Sequence, residues 1–369
     1  NWYCFLTVCR SNNSEKNSER AAAPAYRLKK RGLLYMKALK SRLVFLFCLC
    51  AAAALSAASV HDTAVLSAGR IFVANPEKLA SASIKLPGLW EFYWNEFIDP
   101  ALFYSGNASE PSKSSASKTE PYALVKVPSV WNDIIGEREA KWGKGSATYH
   151  IRIENLKPNF RYAMYMFDRI GTAGNLYCNG KLAFSQGTPS VNYKETRSRR
   201  SMDIAVLESD ADGIVDLVFH CSNYVYRIGG LWSSLSFAEE GFIRHRFTIN
   251  LNYNFFYAGA LLSIMLYHLF LFLFRKYDWP SFYFAFFAFT VFLRSISDDF
   301  SLLLLYVPAI PYALDLKISY TAVFAAPVFF MLHLMSLYST DLKTGTKKAV
   351  AARIVVIVGA AIGLAMWLS

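Results

Sequence analysis

Residue types that commonly do chemistry are few in this sequence, and their spacing fits no catalytic or metal site. Six cysteines are present, and none stands in a Cys-x-x-Cys pair or at zinc spacing from a histidine. A glycosidase would need two carboxylates at a set separation in a cleft, and the sequence singles out no such pair. We therefore predict no catalytic residue, no metal and no cofactor, and a chain that is not an enzyme.

Two cysteines, Cys178 and Cys221, lie in the middle of the chain, whereas the other four lie within its first 50 residues. If the middle is exported, an oxidising compartment permits a disulfide between them. The alternative is that each thiol is simply buried in a strand, as free cysteines often are. Spacing alone does not decide between the two.

Polar loops supply the candidate ligand-binding residues. Trp142 lies in a stretch rich in Gly and Lys, and Tyr193, Lys194 and Arg197 lie in the longest polar connection after a predicted hairpin. Loops on a rigid scaffold commonly carry recognition residues, so these four are predicted to contact an extracellular small molecule or glycan. The alternative is a plain solvated loop.

Three other tryptophans, Trp90, Trp94 and Trp131, lie in strand-like stretches. Burying large aromatic side chains is how a β-sandwich builds its core. We therefore predict that these rings belong to the core. A stacking platform for a sugar ring is the alternative.

The middle of the chain, residues 61–240, alternates short apolar runs with turn residues and predicts an exported all-β sandwich or jelly roll. Residues 149–153 and 214–219 show the two-residue alternation of half-buried strands, and residues 162–167 form a third apolar run. Asn179-Gly180 predicts a tight hairpin, because both turn positions need a positive φ.

The first 58 residues predict a leader. Residues 36–58 begin at Met36 with a basic stretch, continue with an apolar run and end in small residues, which is the order of a secretory signal peptide. An N-terminal anchor helix is the alternative. Residues 1–35 are polar and basic and lack an initiating Met, so we expect them to lie upstream of the true start.

The last third, residues 247–369, predicts a bundle of transmembrane helices. Four apolar segments are long enough to cross a bilayer: 255–274, 281–297, 318–338 and 350–368. The apolar stretch 301–312 contains Pro308 and Pro311 and is predicted to be a loop at the outer face. Gly359 and Gly363 are four residues apart, a spacing that lets another helix approach closely.

The net charge of +12 is distributed in a way that excludes nucleic acid as a partner. Residues 1–58 hold ten Lys/Arg against two Asp/Glu, residues 59–244 hold twenty of each, and residues 245–369 hold nine against five. Nucleic-acid-binding domains concentrate positive charge on a folded domain, whereas here it surrounds the leader and the helices. Lysines and arginines at 275–276 and 343–353 then predict a multi-pass inner-membrane protein with its sandwich outside.

Ionisable residues within the first three apolar segments are His268, Arg294 and His333. Such residues are costly in a bilayer and are therefore functional candidates. The two histidines lie at similar depth and could meet within the bundle, or each could bond a nearby hydroxyl or carbonyl. Asp298 is predicted to pair with Arg294 one turn away.

Short motifs in the middle of the chain resemble the jelly-roll sugar-binding domains of glycoside hydrolases, which are galactose-binding-like sandwiches. The motifs occur in the expected order over some 150 residues: 86–94, 127–131 with 145–149, 175–181, and Asn223 with 229–232. The resemblance implies a sandwich fold and a carbohydrate ligand.

The helical part resembles the bacterial seven-transmembrane receptors with diverse intracellular signalling modules. The similar residues are Gly259, 266–269, Arg275, 282–287 and 293–294. The resemblance implies that an outer domain binds a ligand and that seven helices pass a signal to a cytoplasmic kinase, cyclase or phosphatase. With four predicted helices and no such module, we expect an incomplete receptor. An anchored glycan-binding or adhesion module without signalling output is the alternative.

Overall fold

The computed structural model describes residues 64–104, 120–136, 141–166, 172–297 and 301–337, with residues 354, 356–359, 361–363 and 365 of a further helical stretch. All of them belong to one compact unit, Val60–Ser369. The predictions for the leader, residues 1–58, lie outside the described residues. The fold is a β-rich part followed by long apolar helices.

The β-rich part contains two sheets. The larger sheet holds β1 (Ala64–Ser67), β2 (Arg70–Val73), β4 (Gly88–Trp94), β5 (Ala123–Val127), β6 (Gly145–Glu154), β8 (Ala173–Cys178), β9 (Lys181–Gln186) and β11 (Val215–Asn223). The smaller sheet holds β3 (Ile84–Lys85), β7 (Arg161–Tyr165), β10 (Ile204–Glu208) and β12 (Ser236–Glu239). The predicted strands are present, whereas the jelly-roll connectivity stays a prediction.

The central strands β6 and β11 explain the sandwich. Every second residue of β6, from Ala147 to Ile153, enters one apolar core that also contains side chains of the smaller sheet, such as Tyr162 and Phe237. Thr148 and His150 between them are buried as well, and Arg152 is half-buried, because the segment 97–104 covers the other face of the sheet. The sequence pattern predicted a half-buried strand, and β6 is instead buried on both faces.

The Asn-Gly hairpin and the core tryptophans follow the sequence predictions. Asn179 and Gly180 have φ angles of 49° and 75°, and they join β8 to β9. Trp90 and Trp131 are fully buried, and Trp94 packs against the same core. Trp131 differs in one respect, since it opens a short helix, α1 (Trp131–Ile135), rather than lying in a strand.

In the described part of the chain, three helices are long and apolar enough to cross a membrane: α2 (Glu240–Phe274), α3 (Trp279–Ser297) and α5 (Tyr312–Leu337). The first begins fifteen residues before the predicted start at 255, because it continues directly from β12 without a linker. The last begins six residues before the predicted start at 318. The predicted loop 301–312 contains a short helix, α4 (Leu302–Tyr306).

The fourth predicted segment, 350–368, is described only at nine of its residues, and these are helical. A Cβ added to Gly359 would lie 2.4 Å from Val328 Cγ2, so this glycine lets the segment approach α5. Nothing lies within 4 Å of the corresponding position at Gly363. One close approach that the glycine spacing predicted is therefore made within this chain.

The Cys178–Cys221 disulfide, which the sequence left open, is not formed. Both thiols are free and buried. In the β8–β11 ladder Cys178 lies opposite Leu217, and Cys221 lies opposite Gly174. The two cysteines are thus four positions apart along adjacent strands, about 13 Å at strand rise. A disulfide needs Cα atoms within about 7 Å, so the alternative of two buried thiols holds.

Candidate functional site

The contact between the sandwich and the helices, which we call the seam, is the most distinctive polar region of the structure. Arg200, from the long β9–β10 connection, donates to the Asp315 carboxylate of α5 over 2.7 Å and to the Ser297 carbonyl over 2.9 Å. The side chains of Arg200 and Asp315 are 8% and 1% exposed. A buried arginine of the sandwich is therefore held by the facing ends of two apolar helices.

Two further hydrogen bonds cross the seam. The Arg199 guanidinium donates to the Pro308 carbonyl over 2.8 Å. The hydroxyls of Tyr226 and Tyr320 lie 2.9 Å apart. Thr188 and Arg197 form an isolated antiparallel bridge within the β9–β10 connection, and the Arg199 N–H fixes this connection to the sandwich by donating to the Thr172 carbonyl over 3.0 Å. The seam is thus a set of directed contacts from two loops of the sandwich.

A cavity of about 610 Å³ opens beside these contacts, and we call it the seam cavity. One wall comes from the end of β9 and the connection that follows it, and the other from the turn before α5. The lining residues are Ser185, Gln186, Gly187, Thr188, Arg197, Ser198, Arg199, Ser201, Ala309, Ile310, Pro311 and Tyr312. A molecule in this cavity would touch the sandwich and the helices at once.

The four predicted ligand-binding residues do not form one site. Arg197 lines the seam cavity. Tyr193, which is 65% exposed, packs edge-on against Tyr224 at 5.8 Å, and Lys194 is exposed in the same loop. Trp142, 66% exposed, lies on a different loop, whose neighbouring Gly143 packs against the backbone of Arg227 and Ile228. Of the four, only Arg197 lines the cavity.

A second polar cluster lies under the segment 97–104, on the outer face of the larger sheet. The His150 imidazole lies between two carboxylates, with Nδ1 3.0 Å from Glu91 Oε2 and Nε2 3.1 Å from Asp216 Oδ1. Arg152 donates two further bonds of 2.9 Å to Asp216. Phe103 stacks on His150 at 4.2 Å and closes the cluster from solvent.

Geometry and charge in this cluster favour a protonated His150. Burial by itself lowers the pKa of His150, but the hydrogen bonds and charges of Asp216 and Glu91 outweigh it, and the pKa is raised. Burial likewise raises the pKa of Asp216, but the bonds from His150 and Arg152 outweigh it, and that pKa is lowered. The cluster holds a charged network and opens onto no described cavity, so we assign it a structural role.

The ionisable residues of the apolar helices lie against neighbouring helices. His268 and His333 both contact the Phe284 ring, at 4.4 Å and 5.0 Å. His333 Nδ1 lies 2.9 Å from the Pro280 carbonyl. Arg294 donates to the Ser319 hydroxyl, while its predicted partner Asp298 lies outside the described residues. The described part of the chain contains no group of three metal-ligating side chains.

Sequence reasoning missed the residues that build the seam. Arg200 follows another arginine in a polar loop and looks like a solvated cation. Asp315 looks like an outer-loop charge that only helps set the membrane orientation. The signal available at Asp315 was only that a carboxylate beside an apolar segment is expected to have a polar partner. Its partner is 115 positions distant in the sequence, and nothing in the sequence identifies it.

No protein-family model and no curated protein matches the chain. Among solved structures, it is similar to the GH2 β-galacturonidase from Eisenbergiella tayi bound to galacturonate, with 14% identity and a TM-score of 0.28, over 43% of this chain and 25% of that one. It is also similar to the β-glucuronidase from Ruminococcus gnavus, with 15% identity and a TM-score of 0.28, over 43% of this chain and 28% of that one. The chain thus spans less than a third of these enzymes, and similarity this low supports no assignment.

Proposed function

We propose that this protein is a membrane sensor that binds a ligand with its outer β-sandwich and transmits the binding through its helices. The observation that carries the proposal is the seam, where a cavity is lined by both parts of the molecule and lies beside the buried Arg200–Asp315 pair. A ligand that changes the width of this cavity would move the start of α5 relative to the sandwich.

The helices offer a direct route for such a movement. The start of α5 carries Asp315, and the end of α3 carries the Ser297 carbonyl, so Arg200 holds both. The sandwich is also joined to α2 without a linker, and Tyr165 donates to the Ile243 carbonyl over 3.2 Å at that junction. Two separate attachments let a displacement of the sandwich become a relative displacement of helices.

The proposed orientation places the sandwich outside the cell and the ends of α2 and α5 at Phe274 and Leu337 inside. It rests on the basic residues Arg275 and Lys276 after α2, by the rule that cytoplasmic loops are rich in Lys and Arg. The movement would be passed to a cytoplasmic signalling module, as the resemblance to seven-transmembrane receptors implies. The resemblance of the sandwich motifs to sugar-binding domains implies a carbohydrate as the ligand class.

Distance measurements between spin labels would test the proposal. Nitroxides on Phe274→Cys and Leu337→Cys, both exposed sites, report the separation of α2 and α5 at the ends farthest from the sandwich. The four cysteines of the leader are replaced by serine. Glucose, galactose, glucuronate and galacturonate are added in turn to protein in nanodiscs. A bound sugar is expected to shift the distance distribution by a few ångströms.

The same labels on the double variant Arg200→Met, Asp315→Leu give the matched control. This variant removes the charged contact at the seam and leaves the sandwich and helices intact. The double variant is expected to bind the sugar, but the distance between its two spin labels should not change on binding. A sugar that binds the unaltered seam without any change in distance would contradict signalling and favour the anchored glycan-binding module.

A further inference from the structure

Gln186 is a buried amide without a partner. It is 1% exposed, it lines the seam cavity, and neither its Nε2 nor its Oε1 has a hydrogen-bond partner among the described residues. Nearly all buried polar side-chain atoms in proteins are hydrogen-bonded, and leaving one unpaired costs free energy. The two amide atoms are closed to solvent in this structure, so a ligand in the cavity would satisfy this donor and acceptor after the Gln186 side chain turns toward it.

The charge of the seam cavity selects the kind of ligand. Arg197 and Arg199 both line it, and within the described part of the chain neither forms an ion pair with a carboxylate. Among the residues that the structure describes, no Asp or Glu lines the cavity. Guanidinium groups bind carboxylates and phosphates through paired N–H donors. The ligand is thus expected to carry a negative oxyanion.

The remaining lining groups indicate what else the ligand carries. The sandwich wall supplies the hydroxyls of Ser185, Thr188, Ser198 and Ser201, which donate and accept hydrogen bonds. The opposite wall is apolar and includes Pro311 and the Tyr312 ring. An oxyanion with neighbouring hydroxyls and a non-polar C–H face meets all of these groups.

The cavity lies at the level of the membrane surface. Helix α3 has 19 residues and therefore spans about 28 Å, close to the thickness of a hydrocarbon core. Its last residue, Ser297, binds Arg200. Counting 20 residues back from Leu337 reaches Ile318, so Tyr312 lies about 9 Å above the hydrocarbon, in the headgroup layer.

We propose that the seam cavity binds a hydroxyl-bearing oxyanion, with Gln186 and Arg197 as its recognition residues. Two sources share this chemistry: a soluble sugar acid, or the glycerol-phosphate headgroup of an anionic lipid. If the source is a sugar acid, it would be the ligand that the protein senses, and this role rests on the proposed function. Binding is tested here without reference to helix movement, so the two proposals can fail separately.

The first arm of the test uses nanodiscs of phosphatidylcholine alone and titrates glucuronate or glucose. The two probes share their hydroxyls and differ in the carboxylate. If the source is soluble, glucuronate raises the Tm and glucose does not. The second arm compares these nanodiscs with ones that contain phosphatidylglycerol and no added solute. If the source is lipid, phosphatidylglycerol raises the Tm and is retained by the protein in native mass spectrometry.

Variants test whether the rise in Tm with either probe arises from binding in the seam cavity. Gln186→Leu and Arg197→Gln are each expected to weaken binding of the effective probe about tenfold or more, because each removes hydrogen bonds to it. Lys194→Gln removes an exposed cation of the same loop outside the cavity and should leave binding unchanged. Without a probe, Gln186→Leu should unfold at the same or a higher temperature, since it removes two unpaired polar atoms.

Three results would overturn the proposal. Neither glucuronate nor phosphatidylglycerol raises the Tm of the unaltered protein. An effect of either probe survives in both Gln186→Leu and Arg197→Gln. Gln186→Leu without a probe is strongly destabilised, which would mean that the amide serves the folded protein itself rather than a ligand.

Discussion

The Arg200 guanidinium and the Asp315 carboxylate lie 2.7 Å apart across the seam, although 115 positions separate them in the sequence. Both side chains are nearly excluded from solvent. Moving either ion out of water costs several kilocalories per mole, and only the partner and further hydrogen bonds offset this cost. The pair therefore fixes where the sandwich sits on the helices, more than it adds net stability.

Replacing one member of this pair should destabilise the protein strongly, whereas replacing both members should not. Arg200→Met or Asp315→Leu alone is expected to destabilise the protein by about 3–5 kcal/mol, because an unpaired buried charge remains. The double variant should recover most of this loss. Thermal unfolding in nanodiscs of one composition measures all three. Arg199→Gln is the control, and an exposed residue of this kind should change stability by less than about 1 kcal/mol.

A double variant as unstable as the sum of the two single variants would contradict direct pairing. In that case Arg200 and Asp315 would each be held by other groups, and the coupling energy of the cycle would be close to zero.

The cluster around His150 predicts a definite pH dependence of stability. The pKa of His150 is raised from 6.5, so its contribution is complete below about pH 6.5 and is lost as the pH rises through the raised value. The pKa of Asp216 is lowered from 3.8, so its contribution is present above about pH 3.8 and is lost as the pH falls. The sandwich should be most stable between these values.

Chemical denaturation at pH 5.5 and pH 8.5, followed by tryptophan fluorescence, measures this effect. His150→Gln should lower the free energy of unfolding at pH 5.5 by about 2 kcal/mol, because it removes hydrogen bonds between charged groups. The loss should be smaller at pH 8.5. His245→Gln provides a control on α2, outside the cluster. Equal losses from His150→Gln at both pH values would contradict the raised pKa, because they would show that folding leaves the pKa of His150 unchanged.

The two buried thiols should remain reduced and unreactive in the native protein. Burial raises the pKa of Cys178 to about 11 and that of Cys221 well above its usual value, so little thiolate forms at neutral pH. Native protein should react slowly with a thiol reagent at both positions, and denatured protein should react fully. Mass spectrometry of unreduced peptides is the direct check, and a linked 178–221 peptide pair would refute the strand register.

The elements that the sequence predicted well are those set by local pattern. The β8–β9 hairpin follows from Asn179-Gly180, since few other residue pairs accept two positive φ values. The apolar segments of α2 and α3 follow from length and composition. The start of α2 could not be predicted from the sequence, because residues 240–254 are polar enough to suggest a linker. In the structure they are helical, and Ile243 packs against Ala163 and Ala238.

The seam could not be predicted, because it depends on pairs that are distant in sequence. Arg197 was identified as a loop residue, which is a local property, and the structure places it in the cavity. Gln186 ends a strand of mixed polarity, and only the three-dimensional packing shows that its amide is buried and unpartnered. Local patterns identify strands and helices, whereas contacts between them decide where a ligand could bind.

Gly229 predicts a sharp effect of a single methyl group in the sandwich. A Cβ at this position would lie 2.2 Å from Cε2 of Trp131, and the Trp131 side chain is fully buried with its Nε1 bonded to the Gly143 carbonyl over 3.0 Å. The ring cannot move without losing that bond, and the Gly229 carbonyl is itself held by the Trp131 N–H at 3.0 Å. Gly229→Ala should therefore destabilise the sandwich by about 1–3 kcal/mol, as overpacking of a tight core does.

Gly241→Ala is the matched control, because no atom lies within 4 Å of its added methyl, and alanine in a helix is favoured by up to about 1 kcal/mol. In a Trp131→Phe protein the smaller ring leaves room for the methyl. Gly229→Ala should therefore destabilise that protein less than it destabilises the protein with Trp131. Thermal unfolding followed by near-UV circular dichroism measures each variant, and a Gly229→Ala protein as stable as Gly241→Ala would show that the close approach of Gly229 to the Trp131 ring is not required.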